Sequence, residues 1–184
     1  MAARLTIPRR IALALAAAML VAGCAASTND VAPSVGAVVT EGPTRTVGPA
    51  VAQTRTELVQ ALGTKNLVLQ DSLADFRPPE DPTFTTTPRA LFQVILPKAP
   101  QEGFIVVYEF ADPTAAAQAA AAQAAYLATG PAKVQSPFGA RHIIRLVGST
   151  VVQYTWVPAG AEDPLQPDIQ TALETLGTGV QVPS

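Results

Sequence analysis

The chain contains one cysteine and one histidine among its 184 residues. A lone cysteine, Cys24, excludes an internal disulfide, so the folded part must rest on an ordinary apolar core. A lone histidine, His142, excludes a metal site built from several His and Cys ligands. No Gly-rich turn is present to cradle a nucleotide, and no alternating strand–helix pattern points to a parallel sheet. Charge is also scarce, at 14% of residues, and 14 acidic side chains stand against 12 basic ones. Without Arg4, Arg9 and Arg10 the balance is 9 to 14, a net charge of about −5. By charge alone, this argues against nucleic acid or an anionic membrane surface as a partner. Hydrophobic residues make up 48% of the chain, but alanine inflates that figure, so the core is smaller than it suggests.

What is there begins at the N-terminus. Arg4, Arg9 and Arg10 form a basic segment, and an apolar run from Ile11 to Ala22 follows. The run is shorter than the roughly 20 residues a membrane helix needs, and it ends in small residues, as a cleaved secretion signal does. Arg9-Arg10 raises twin-arginine export, but Pro8 before it and Ala12 after it favour the general secretory route. Val21, Ala22, Gly23 and Cys24 resemble the bacterial lipobox: an aliphatic residue, two small ones, then cysteine. The resemblance implies a diacylglycerol thioether on Cys24, acyl chains such as palmitate, and cleavage of residues 1–23 before it. A thiolate suits that chemistry as the nucleophile. Two acyl chains give a stable anchor where one would be marginal. The implied location is the cell envelope, membrane-anchored on the extracytoplasmic side.

Residues 24–52 then read as the lipidated cysteine and a flexible tether. Pro33, Pro43, Pro49, Gly36, Gly42 and Gly48 interrupt every helical pattern in it. A coil of that length spans on the order of 30 Å. The alternative within it is an edge strand at Ala37 to Thr40.

Residues 53–184 read as a single domain. Thr54 or Thr56 caps a first helix that buries Leu58, Ala61 and Leu62 and ends at Gly63. Leu67 to Leu69 is a short strand. The segment 70–90 is an irregular Pro/Asp-rich loop with a strand expected at Thr83 to Thr87. A loop this long in a compact domain is often functional. Leu91 to Leu96 and "FIVVYEF" (104–110) are strands joined by the hairpin loop "PKAPQEG". The second is apolar on both faces except Glu109, which marks it as central. Asp112 caps an Ala-rich helix, Pro113 occupies its first turn, and Gly130-Pro131 stops it.

"RHIIRLVGSTVVQYTWV" (141–157) is a hairpin with two candidate registers. A two-residue Gly148-Ser149 turn sets Arg145 opposite Val152 and Arg141 opposite Trp156, and mixes polar with apolar on both faces. A three-residue loop, 148–150, puts Ile144, Leu146, Val152, Tyr154 and Trp156 on one face, and is preferred because patterning usually fixes register. A helix from Pro167 to Leu176 closes the domain, with Ile169, Leu173 and Leu176 inward and Gly177 as its stop. The expected class is α+β: a small antiparallel sheet of about four to five strands, with two or three helices packed mainly on one face.

"VVYEFADPTAAAQAAA" followed by the hairpin and the "IQTALETLG" helix resembles a group of small uncharacterised bacterial envelope lipoproteins. In that group a strand ending in an acidic residue, an aromatic and Ala-Asp runs into an Ala-rich helix. The resemblance spans roughly residues 54 to 178 and departs in the Pro/Thr loop at 77–88. It implies a fold and an envelope location, and no activity. It assigns a role only to Cys24.

The catalytic inventory is thin. His142 is expected on the core face near Trp156, and Ser149 lies at the far end of the hairpin from it, which argues against a Ser-His pair. Glu80-Asp81 and Glu162-Asp163 precede prolines and read as solvated turns. Glu109 is the more distinctive carboxylate, within reach of an arginine on a neighbouring strand, and Asp112 is a helix cap. Arg141 and Arg145 share a strand face and form a candidate ligand or partner face. No catalytic residue, metal ligand or cofactor is assigned. Three classes follow in order: a non-catalytic binding or accessory module, a structural or assembly lipoprotein docking on a larger envelope complex, and a small hydrolase. The expected partners are the membrane, through Cys24, and an envelope protein or small ligand, with no nucleic acid.

Overall fold

The computed structural model describes residues 48–160 and 162–184. Val21 to Cys24 and the tether up to residue 47 lie outside the described residues. Six antiparallel strands form one sheet: β1 (Leu69–Asp71), β2 (Arg89–Val94), β3 (Phe104–Glu109), β4 (Arg141–Val147), β5 (Thr150–Trp156) and β6 (Thr178–Val180). Their order across the sheet is β1-β2-β3-β5-β4-β6. Both edge strands are three residues long. Four α-helices accompany the sheet among the described residues: α1 (Pro49–Gly63), α2 (Pro113–Leu127), α3 (Gly130–Gln135) and α4 (Gln166–Leu173).

The helices cover both faces, not mainly one. On the first face Val51, Leu58 and Leu62 of α1 and Ile169 and Leu173 of α4 pack on Phe92, Val94, Ile105, Val107, Val152 and Tyr154. On the second face Ala116, Ala120, Ala124 and Leu127 of α2, with Phe84 of the long loop, pack on Leu91, Val106, Tyr108, Ile144 and Val151. Central strand β3 explains why. Its residues alternate between the two cores, so an apolar side chain points each way and each face needs cover. A fully buried Leu or Ile here contributes about 1.5–3 kcal/mol. The alanines of α2 contribute less each, but let the helix lie close to the sheet.

Several local expectations change. Helix α1 starts at Pro49, so residues 49–52 belong to it rather than to the tether. Gly48 is its N-cap and Pro49 pre-sets the first helical φ. Thr54 is therefore interior and buried, with its hydroxyl 2.8 Å from that of Thr150. Thr150 gives its own proton to the Val147 carbonyl (2.8 Å), so Thr54 is the donor. The strand expected at Leu67 to Leu69 starts two residues later, at Leu69. Thr83 to Thr87 is no strand: Pro82–Phe84 is a 3₁₀ turn capped by the Asp81 carboxylate, which accepts from the Thr83 N–H at 3.0 Å. Asp112 caps α2 as expected, accepting from the Ala115 N–H at 2.8 Å. That helix ends at Leu127, and Gly130-Pro131 opens α3 instead of merely stopping α2.

The hairpin adopts the register that patterning disfavours. Arg141 faces Trp156 and Arg145 faces Val152 across a Gly148-Ser149 turn, with Gly148 at φ +56°. Ile144 and Leu146 thus point to the α2 face, and Val152, Tyr154 and Trp156 to the α1/α4 face. The mixed faces are tolerated because Gln153 and Arg145 are bonded and Arg141 is exposed. Gln153 accepts from Gln123 Nε2 of α2 at 3.1 Å. Arg145 Nε donates to the Leu176 carbonyl at 2.6 Å, past the end of α4. With its cationic head there, Arg145 holds the turn that leads into β6, a strand the sequence patterning does not suggest.

Candidate functional site

The long loop between β1 and β2 is fixed to the sheet by buried polar groups. Arg89, at the start of β2, is 4% exposed at its side chain, and Glu80 of the loop is 5% exposed. Arg89 Nη1 donates to the Phe76 carbonyl at 2.7 Å and lies 3.7 Å from the Glu80 carboxylate. Tyr108 of β3 donates its hydroxyl to Glu80 at 2.6 Å, and Arg77 donates to the same carboxylate at 2.8 Å. Burial, then the hydrogen bond to Glu80 and its charge, push the Tyr108 phenol well above its ordinary range. From the other side Gln123 of α2 accepts from the Asp81 N–H (2.7 Å) and donates to the Pro79 carbonyl (2.8 Å). Phe76 stacks on Phe104 of β3, ring centroids 4.6 Å apart. Glu80 is therefore no solvated turn, and the distinctive carboxylate is Glu80 rather than Glu109.

Beside this loop, at the end of the sheet where β3 starts and β5 finishes, is a pocket of about 200 Å³. Phe76, Arg77 and Pro79 line it from the loop, Glu102 and Phe104 from the start of β3, and Trp156 from the end of β5. The Trp156 indole N–H is buried and has no acceptor among the described residues. Glu102 accepts from Gln166 at the start of α4. The Tyr154 hydroxyl and the Gln166 side-chain oxygen, both buried, also lack partners among the described residues. Burial, and secondarily the Glu102 charge, raise the Tyr154 phenol. A second hollow of about 320 Å³ shares Arg77, Pro78 and Pro79 with the first and reaches Tyr126 of α2.

Arg141 and Arg145 come together as expected, lining one cleft of about 530 Å³ with His142, Glu174 and Gln181. Their roles differ. Arg145 is committed to the carbonyls of Leu176 and Gly177. Arg141 is exposed and makes no ion pair among the described residues.

His142 does not lie on the Trp156 face. The observed register puts it opposite Thr155, with Nδ1 2.9 Å from the Thr155 hydroxyl and Nε2 3.4 Å from that of Ser136. Ser136 donates its proton to the Ala132 carbonyl at 2.9 Å. The imidazole is then the donor at Nε2 and accepts from Thr155 at Nδ1. A serine whose proton points at a carbonyl is not activated by that histidine. Burial lowers the pKa of His142, favouring the neutral ring.

The remaining carboxylates serve the fold. Glu109 has no arginine partner among the described residues and lies against Gly48, where a Cβ would come within 2.1 Å of its oxygens. Asp163 is buried, not a solvated turn residue, and accepts from the N–H groups of Lys98 (2.8 Å) and Leu165 (2.9 Å). Among the described residues no group of three or more His, Cys, Asp or Glu side chains is placed to hold a metal ion, and no helix is long and apolar enough to cross a membrane.

Comparison with protein-family models, curated proteins and solved structures finds no match.

Proposed function

We propose that this is an envelope lipoprotein anchored through Cys24, and that its folded domain is a non-catalytic binding or accessory module. The lipobox-like Val21-Ala22-Gly23-Cys24, and the resemblance to small envelope lipoproteins, support the location. The pocket at the end of the sheet supports the binding role. Apolar and aromatic walls with a few polar groups are the composition of small-molecule sites. Its walls are also held in place: the loop that supplies Phe76, Arg77 and Pro79 is pinned by Arg89, Glu80, Tyr108 and Gln123. Preorganisation of this kind lowers the entropic cost of binding.

A docking role has one observation in its favour. Val134 and Phe138, 87% and 102% exposed, project from α3 and the turn after it, beside the pocket. Exposed apolar groups placed together mark a protein contact more often than chance. Native mass spectrometry of the detergent-extracted protein separates the two. A retained small molecule supports the binding module, a co-purifying subunit supports docking, and a bare monomer counts against both. For the anchor, Cys24→Ala should abolish acylation and processing; normal maturation of that variant refutes it.

A further inference from the structure

Resting on the binding-module reading, we infer that the pocket at the end of the sheet takes a small zwitterion of the α-amino-acid type: one anionic group, one cationic group and an apolar body. Three observations carry this. First, the wall given by the long loop presents a cation, Arg77, its one charged lining residue. The carboxylate that Arg77 bonds, Glu80, also has buried Arg89 beside it. Arg77 uses Nη1 for Glu80, which leaves further N–H donors on a half-exposed guanidinium at the pocket. A guanidinium with an unused edge is suited to a carboxylate. Second, the hairpin wall carries the opposite sign. Glu102 lines the pocket, is exposed, and has only the neutral amide of Gln166 as its hydrogen-bond partner. It is placed to receive an ammonium group. Third, the space between is aromatic and small. Phe76 and Phe104, whose rings stack 4.6 Å apart, supply it, and about 200 Å³ is below the roughly 300 Å³ at which ordinary ligand sites begin. A bipolar, aromatic-lined site of that size matches a single amino acid with an apolar side chain. A purely apolar guest would use neither the free Arg77 donors nor the Glu102 carboxylate.

Isothermal titration of the detergent-extracted full chain tests this with four probes. L-phenylalanine carries both charges, N-acetyl-L-phenylalanine lacks the cation, 2-phenylethylamine lacks the anion, and benzyl alcohol lacks both. The zwitterion should bind roughly tenfold more tightly than either singly charged probe, the scale of losing one charge-assisted contact. Glu102→Gln should bring L-phenylalanine down to the affinity of its N-acetyl derivative, and leave that derivative unchanged. Arg77→Lys keeps the charge that faces Glu80, and should weaken L-phenylalanine and the N-acetyl probe together but not 2-phenylethylamine. If benzyl alcohol or a singly charged probe binds as well as L-phenylalanine, the zwitterion assignment is overturned and the binding module stands. If none of the four binds, the assignment is overturned, while a small molecule retained in native mass spectrometry would still support the binding role.

Discussion

Replacing Glu80 with glutamine probes the loop anchor directly. The amide oxygen can still accept the Tyr108 proton, while its NH2 group cannot accept from half-exposed Arg77, so the change removes the charge and that one surface hydrogen bond. What it strands is Arg89, a cation 4% exposed at its side chain whose carboxylate partner is 3.7 Å away. With an effective dielectric constant of about 20, two unit charges at that distance attract by about 4–5 kcal/mol. The cost of burying Arg89 is already spent in the fold, so losing the partner forfeits most of that attraction. This agrees with the roughly 3–5 kcal/mol seen when one half of a buried pair is removed. Urea unfolding followed by the fluorescence of Trp156, the single tryptophan, reads it out. With a slope of about 2 kcal/mol per molar, the midpoint should fall by roughly 1.5–2.5 M. Tyr108→Phe alone should cost about 1.5–3 kcal/mol, the value of a hydrogen bond to a charged acceptor. Glu80→Leu, Arg89→Met and Tyr108→Phe together should recover part of the loss, because the buried charge and the phenol leave with their partner and only the Phe76 carbonyl loses a donor. A Glu80→Gln protein within about 0.5 kcal/mol of the parent, as at an ordinary surface position, would refute the anchor.

Three further outcomes are expected. His142 has a folded pKa below its unfolded value near 6.5, so the unfolded chain binds the proton first. Stability should therefore fall as pH drops through 6.5 and level off once pH passes the folded value, at up to about 1.4 kcal/mol per pH unit; His142→Gln should remove that slope in chemical denaturation. Gly103 has φ +79°, and a Cβ there would meet the Val94 carbonyl oxygen at 2.3 Å. Gly103→Ala should lose at least about 1–2 kcal/mol, and thermal melting checks it. Arg145→Ala should cost about 1.5–3 kcal/mol through the carbonyls of Leu176 and Gly177, whereas exposed Arg141→Ala should stay within about 0.5 kcal/mol by the same melting assay.

The sequence made the elements legible where period and punctuation agreed. "FIVVYEF" reads as a central strand and is one, and Asp112-Pro113 starts α2. Legibility failed where long-range partners decide. The hairpin register depends on Gln123, 30 residues from Gln153, and on carbonyls 31 and 32 residues beyond Arg145. Side-chain patterning within 17 residues cannot register such partners, so it favours the face that looks cleaner. Helices on both faces were implicit in β3, whose two apolar faces each require cover. Glu80 reads as a turn residue for the same reason. Its neighbours in sequence are proline and aspartate, as in a turn, while Tyr108 and Arg89 arrive from β3 and β2. The pocket had no local signature, because its walls come from four segments. The one usable hint was the length of the loop at 70–90. Arg141 and Arg145 share a face, as their i, i+4 spacing requires, but it is the face of Val152 and Trp156 rather than the opposite one, and only the structure separates the bonded arginine from the exposed one.

The two three-residue edges of the sheet matter most for a protein held at a surface. On a membrane, the proposed anchor would confine copies to two dimensions, where neighbours meet at high effective concentration. A long, flat, unpaired edge would then act as a template for strand addition from copy to copy. Here β1 and β6 each offer only three residues, and β1 carries Asp71 in an ion pair with Arg55 at 3.0 Å. Crowding can thus press these domains together without extending one sheet into the next.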